Sequence, residues 1–420
     1  MADLSRQMAH CMNYSGAVQF LYSLGNEVLT AKLGLERITH LLEALGSPHR
    51  ASRWVHVAGT NGKGSTSAMI EAGLRAAGVR TGIYSSPHLV EPTERIQIAG
   101  QQVSQEQFAA AFDRVHDMAE RMIASGGLDM HATYFETVTA MAFVLFAEAK
   151  LDRVVLEVGL GGRLDATNVV TPELCVITPI DYDHQIFLGD TIELIAGEKA
   201  GILKRGVPAV FAEQRPEAEA VLRARAQGPF VLSRDWPVSD LHIDARGSRF
   251  RLRDIGEVDC PLAGEHQVEN ARVAAIALAQ LGVSPAGIAT ARWPARLERV
   301  SERPEIIIDG AHNPAGTRAL AAYIRRFYSE RRVWLVYGAL GDKAVAEMTS
   351  ILFPLANRII LTAPHNARAK LPEEILAAGA TITHSIAEAV ALLGDADPDD
   401  AIFITGSLYL AGEARALLVK

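Results

Sequence analysis

Short apolar runs alternate with amphipathic stretches along most of the chain. WVHVAG at 54–59, GVRTGIYSS at 78–86, RVVLEVG at 153–159, LCVITPI at 174–180 and VPAVF at 207–211 are apolar over strand length. The most continuous of them, at 153–159 and 174–180, read as strands covered on both faces, as in a parallel sheet. Helical periodicity fills the gaps: residues 14–45 with an interruption near Leu33-Gly34, then Ser67–Ala77, Gln105–Ser125, Phe135–Ala149 and Thr191–Leu203. This rhythm predicts an α/β domain around a mostly parallel central sheet carrying a phosphate loop.

Residues 230–262 depart from it, with short alternating stretches and several turns. They predict an antiparallel β excursion inside the first domain, with helix resuming at Asn270–Ala279. The two prolines and mixed charge of RWPARLERVSERP at 292–304 mark a linker. Beyond it, EIIIDG, RRVWLVYG, NRIILTA, ATITHS and DAIFITGS predict five strands of a smaller, Rossmann-like α/β domain. The expected division is 1–295 and 296–420.

Composition narrows the class. With 49% hydrophobic and 21% charged residues among 420, wholesale disorder is excluded. Lys and Arg number 41 against 49 Asp and Glu, a net charge of −8, which disfavours a non-specific nucleic-acid binder. The most apolar segment, Val138–Ala147, is half of the roughly 20 residues that a membrane helix needs. The opening MADLSRQMAHCMNYSG has no apolar core of a secretory signal. Cys11, Cys175 and Cys260 are widely spaced, form no CxxC pair and suit a reducing compartment. A cytoplasmic monomer acting on small molecules, without nucleic-acid or membrane partners, is the expectation.

The candidate chemistry begins after the first strand, at Gly59-Thr60-Asn61-Gly62-Lys63-Gly64-Ser65-Thr66. Glycines let backbone N–H groups face phosphate oxygens, and the following helix adds the positive end of its dipole. A glycine-rich turn alone has a plain structural reading; a lysine between glycines, with a strand before and a helix after, points to phosphate. The spacing departs from GxxxxGK[ST], because Gly64 directly follows the lysine. Glu157 ends an apolar strand, where a carboxylate needs a cation or an ion pair. Asp165 is a ligand or a cap. His184 sits at another strand end, where open parallel sheets bind ligands, and is a candidate metal ligand.

In order, VAGTNGKGS, YSSPHLVEPTERI, LEVGLGGRLDATN, DHQIFLG, EKAGILK, GEHQVENA and DGAHNP resemble the folylpolyglutamate synthase and dihydrofolate synthase family of Mur-ligase-like enzymes, over essentially the whole chain. The resemblance implies ATP-dependent ligation of L-glutamate to folate-type carboxylates through an acyl phosphate, covering tetrahydrofolate polyglutamylation and the conversion of dihydropteroate to dihydrofolate. It implies nucleotide phosphates on Gly59, Thr60, Asn61, Gly62, Lys63, Gly64 and Ser65, and Mg²⁺ on Ser86 (rather than Ser85), Glu157 and His184. Asn270, Arg296 and Asp309 match ATP-contacting positions, the last two around the interdomain cleft. Lys199 matches a carbamylated lysine, although the plain reading of Glu198-Lys199 is a solvated helix face. His312, next to Asn313, is implied to orient or deprotonate the incoming amine. Lys32, Leu33, Thr133, Phe135, Ala166, Thr167 and Asn168 are implied to line the folate site; Phe135 alone reads as core. Family members that carry both activities often have DLGLER where this chain has AKLGLER, which bears on dihydropteroate binding.

Two other classes share part of this signal. A cell-wall amino-acid ligase of the Mur type shares the GTNGK loop but is disfavoured by SSPHL and by the GKGS spelling. A nucleotide-binding regulator leaves Glu157, His184 and Lys199 without a joint purpose.

Overall fold

The computed structural model describes residues 12–25, 34–341, 343–375 and 377–419. The chain divides into two compact units: residues up to Leu232 with Gln280–Val283, and Ser233–Ala279 with the residues from Ser284 onward. Segment 233–279, expected inside the first domain, therefore groups with the second unit.

The first unit is built on eight strands: β1 Arg53–Ala58, β2 Thr81–Tyr84, β3 Ile96–Ile98, β4 Gln101–Gln102, β5 Arg153–Glu157, β6 Leu174–Ile177, β7 Ala209–Phe211 and β8 Phe230–Leu232. They lie in the order β4-β3-β2-β5-β1-β6-β7-β8. From β2 to β8 all neighbours are parallel, and β3 and β4 fold back antiparallel at one edge. Val154–Leu156 and Leu174–Ile177 are completely buried, as their unbroken apolar runs require. The helix Tyr134–Glu148 is buried from Tyr134 to Phe146 apart from Phe135, and Phe143 meets Trp54 of β1 edge to face at 5.0 Å.

Several boundaries differ from expectation; the helix expected from Asn270 starts at Glu265, and the one expected to reach Leu203 ends at Lys199. The helix expected from Ser67 starts at Lys63, because Gly62 caps it in the left-handed region at φ 85°. Phe230–Leu232, expected in the antiparallel excursion, instead extends the main sheet alongside β7. Three apolar residues suit either sheet, so the local pattern does not choose between them.

The second unit has a three-stranded antiparallel sheet, β9 Val238–Ile243, β10 Ser248–Leu252 and β11 Gly256–Cys260, and the helix Glu265–Gln280. Its larger sheet takes β12 Glu298–Glu302, β13 Glu305–Ile308, β14 Val333–Tyr337, β15 Arg358–Leu361, β16 Thr381–Ile382 and β17 Ala401–Thr405, ordered β12-β13-β17-β14-β15-β16. All five expected strands are present and parallel. The sixth, β12, lies in the stretch read as linker and pairs antiparallel with β13. It is a polar edge strand held partly by charge, Arg299 pairing with Glu305, so no hydrophobic pattern betrays it. Among the described residues no helix is long and apolar enough to cross a membrane.

Candidate active site

Parallel pairing places the ends of β2, β5, β1 and β6 side by side. Glu157 is the last residue of β5, and the segments that leave β2, β1 and β6 carry Ser86, the phosphate loop and His184. The loop itself is pinned from below. Thr60 and Asn61 donate their backbone N–H groups to the Pro179 carbonyl at 3.0 and 3.2 Å. The Thr60 hydroxyl donates to the Asp181 carbonyl and accepts from the Asp181 N–H. Gly59 has φ +149°, and a Cβ there would stand 1.9 Å from Thr178 Oγ1, so the turn admits no side chain. The helix that follows begins with small residues, and Ser65 and Thr66 are buried within it.

Two lysines converge on this turn. Lys63 Nζ donates to the Gly59 carbonyl at 3.1 Å and to that of Thr60 at 3.3 Å. Lys199 Nζ donates to the same Gly59 carbonyl at 2.8 Å. Lys199 is buried, unlike a residue on a solvated face. Burial, then the charge of Lys63, push its amine down to about 7, against the opposing pull of Asp183 and Asp165.

The glycines of LEVGLGGRLDATN and EKAGILK let their two loops meet backbone to backbone. A Cβ on Gly162 would stand 2.8 Å from the Glu198 carbonyl oxygen and 3.0 Å from that of Lys199. Arg163 donates its N–H to the Glu198 carbonyl at 2.8 Å and pairs with the Glu198 carboxylate. This packing holds Lys199 under the phosphate loop.

Glu157 is buried at the end of β5. Ser86 is half-buried, while Ser85 is buried and donates its N–H to the Arg95 carbonyl. His184 is half-buried with φ +51°, and its Nε2 is 3.9 Å from Asp183 Oδ2. A hydroxyl, a carboxylate and an imidazole on adjacent strand ends are a donor set that fits a hydrated Mg²⁺ joined by phosphate oxygens.

The neighbouring loop is used internally. Asp165 caps the turn Ala166–Val169, accepting from Leu160 N at 2.8 Å and Thr167 N at 3.0 Å. The Thr167 hydroxyl donates to Asp165 and meets His56 Nε2 at 2.9 Å. Asn168 Nδ2 donates to the carbonyls of Arg163 and Gly201. Ala166, Thr167 and Asn168 are all buried. Burial and the charge of Lys204 push His56 down to about 3, so it is a neutral ring. The His56–Thr167–Asp165 chain is a feature that motif reading missed; its one signal is a histidine inside the apolar run of β1.

Thr133 caps the helix Tyr134–Glu148 in a capping box with Glu136, which pairs with Arg37. Phe135 is half-buried and lies across Gly159, where a Cβ would come within 2.5 Å of its ring. That puts an aromatic face beside the turn after Glu157. Lys32 and Leu33 lie outside the described residues.

In the second unit, Asp309 is buried and accepts from Leu297 N at 3.0 Å and Ala311 N at 2.9 Å. Arg296 Nη1 donates to the Ala295 carbonyl. His266 is half-buried and feels the charges of both Asp309 and Arg296, with desolvation pushing it down. Asn270 Nδ2 donates to Gln267 at 2.9 Å. Asn313 caps the helix Pro314–Phe327. His312 Nδ1 lies 2.8 Å from the Gly310 carbonyl. A carbonyl can only accept, so Nδ1 carries the proton, and Nε2 is the basic nitrogen of the neutral ring.

The Mur ligase middle domain family matches residues 57–279, and the Mur ligase, glutamate ligase domain family matches residues 295–408. A folylpolyglutamate synthase of Lacticaseibacillus casei is 36% identical, over 97% of this chain and 99% of its own. A dihydrofolate synthase/folylpolyglutamate synthase of Bacillus subtilis (strain 168) is 37% identical, over 92% of this chain and 95% of its own. Among solved structures, Mycobacterium tuberculosis folylpolyglutamate synthase complexed with ADP and AMPPCP has a TM-score of 0.87 at 36% identity, covering 96% of this chain and 99% of that one.

Proposed function

The chain belongs to the folylpolyglutamate synthase and dihydrofolate synthase family of Mur-type ligases, and we propose that it joins L-glutamate to folate carboxylates, with ATP as the activating co-substrate. Both extension of tetrahydrofolates and synthesis of dihydrofolate from dihydropteroate fall within this reading. The observation that carries it is the convergence of Lys63 and Lys199 on one carbonyl of the phosphate loop.

A carboxylate is a poor acyl donor because its leaving group would be oxide. Transfer of the γ-phosphoryl group of ATP to a carboxylate oxygen gives an acyl phosphate and ADP. The uncharged α-amine of glutamate then attacks the carbonyl carbon, and the C–O bond to phosphate breaks as the amide forms.

Gly59, Thr60, Asn61, Gly62, Gly64 and Ser65, at the start of the helix Lys63–Ala76, cradle the phosphates. Lys63 turns from the loop carbonyls to the phosphoryl oxygens and offsets their developing charge. Ser86, Glu157 and His184 would hold Mg²⁺, which would supply positive charge against the phosphate oxygens. Lys199 is carbamylated in the working enzyme. Carbon dioxide adds only to an uncharged amine, and a buried lysine pushed down to about 7 offers one near neutral pH. The product carries a carboxylate where a second ammonium would oppose Lys63 and the metal.

Asn270, Arg296 and Asp309 contact the nucleotide, and His312 presents Nε2 to the glutamate amine. Phe135 and Thr133, with Lys32 and Leu33, wall the folate. Ala166, Thr167 and Asn168, with their side chains buried, shape that wall through the backbone of their loop. The 1–295 and 296–420 division follows the same reading, in keeping with family matches at 57–279 and 295–408, although segment 233–279 packs with the second compact unit. The same reading takes the enzyme to be a monomer. Among the described residues, the Cys175 and Cys260 thiols are buried and form no disulfide, which fits a reducing cytoplasm.

Parallel incubations with 7,8-dihydropteroate and tetrahydrofolate, each with ATP and L-glutamate, test the reading by product mass. One added glutamate is expected in each. Absence of a glutamate-dependent product from both would overturn it.

A further inference from the structure

Among the described residues, one trio of histidine and acidic side chains gathers its ligand atoms within 4.8 Å of one another: His116, Glu120 and His131. His116 and Glu120 stand one turn apart on the helix Gln105–Ala124 and share a face. His131 comes from the loop that leads into Thr133. The two imidazoles are parallel within 9°, their centroids 5.6 Å apart, and Phe20 packs against both.

The plain reading is an ion pair. His131 Nε2 is 2.9 Å from Glu120 Oε1, a hydrogen bond. That reading leaves His116 unexplained. Its Nε2 stops 3.9 Å from the same oxygen, beyond hydrogen-bond range, and its Nδ1 is sealed from solvent without a partner. A cation shared by Glu120 and the two Nε2 atoms would give His116 Nε2 the partner that the ion pair withholds, leaving Nδ1 to carry the ring proton. Around a tetrahedral metal with bonds of about 2.0–2.1 Å, neighbouring donor atoms stand about 3.3 Å apart. The observed 2.9 and 3.9 Å separations bracket that spacing. Glu120 is half exposed, which leaves the outer side of the trio to water as a fourth ligand.

We propose that His116, Glu120 and His131 form a binding site for a divalent transition-metal cation of the zinc type, separate from the magnesium–nucleotide site. Two imidazoles and one carboxylate suit Zn²⁺, Co²⁺ or Ni²⁺, whereas Mg²⁺ favours an octahedron in which oxygen ligands predominate. The bound cation ties the helix Gln105–Ala124 to the segment before Thr133, and hence to the start of the helix that carries Phe135. Its influence on the folate wall rests on the substrate reading above; the site itself does not.

The test is titration of the full chain, any affinity tag removed, with Co²⁺ in saturating Mg²⁺, followed by visible absorption and calorimetry. The expected result is one equivalent of tetrahedral-type Co²⁺, displaced by Zn²⁺, with a melting temperature that rises with Zn²⁺ concentration. His131→Ala and Glu120→Gln alter partly exposed side chains. Both should keep the native circular dichroism and, within about two-fold, the ligase activity measured in Mg²⁺ without added transition metal, and lose the equivalent. No stoichiometric uptake by the parent protein, or equal uptake by both variants, would overturn the proposal.

Discussion

Lys199 Nζ donates to the Gly59 carbonyl at 2.8 Å, a contact between residues 140 positions apart. It fastens the end of the helix Ile192–Lys199 beneath the phosphate loop and brings a second amine to the oxygen that Lys63 already holds. Two full ammonium charges there would repel, and the depressed Lys199 amine relieves this by surrendering its proton near neutral pH. The proposed carbamate would go further and reverse the sign of the charge.

Replacing Lys199 with Ala should lower the ligation rate by about 10²–10³-fold, the scale for losing a preorganised electrostatic group. Circular dichroism should stay native, and formate or acetate should restore part of the rate. Protein equilibrated with ¹³C-bicarbonate should show a carbamate carbon resonance that this variant lacks. The same resonance in parent and variant would assign it elsewhere.

Gly59→Ala should be a folding and a binding lesion together. The added methyl meets Thr178 and a backbone angle that disfavours side chains. A loss of about 1–3 kcal/mol, the usual overpacking range, is expected in thermal or urea melts. ADP should stabilise the variant far less than the parent.

Glu157→Gln keeps size and hydrogen bonding but removes a buried charge. If Glu157 holds the metal, the Mg²⁺ concentration for half-maximal ligation should rise about ten-fold or more while the fold is retained. An unchanged magnesium dependence would make Glu157 a structural residue.

His56 supplies a pH test of stability. Its folded value, about 3, lies below the ordinary histidine value of 6.5, so between these the unfolded chain binds the extra proton. Its contribution is full above pH 6.5 and is lost as pH falls, at a slope approaching about 1.4 kcal/mol per pH unit. Burial raises Asp165, whose contribution runs the other way, but Asp165 is common to both proteins compared. The stability difference between parent and His56→Gln should therefore shrink from pH 6.5 to pH 5, measured by urea melts. A constant difference would mean that His56 does not titrate as its burial demands.

Much of the fold was legible because both main sheets are covered by helices. Their strands carry unbroken apolar runs, as β5 and β6 do, and the loop glycines sit where the backbone must turn or touch. β12 was illegible because a polar edge strand held by Arg299–Glu305 has no hydrophobic signature. Phe230–Leu232 was assigned to the wrong sheet because three apolar residues fit either. For the candidate site, motif order brought out Lys63, Glu157 and Lys199, but not the convergence of two lysines on one carbonyl, since nothing local links Gly59 to Lys199. The Thr167 hydroxyl, read as part of a substrate wall, is engaged by His56 and Asp165, a contact that depends on β1 lying beside β5.

The most direct measurement is oxygen tracing. Tetrahydrofolate labelled with ¹⁸O in its γ-carboxylate is incubated with ATP, Mg²⁺ and L-glutamate, and the released phosphate and the amide product are weighed by mass spectrometry. Activation as an acyl phosphate requires one ¹⁸O in each phosphate released per amide formed. Amide formation with unlabelled phosphate, or phosphate release with no amide, would contradict it.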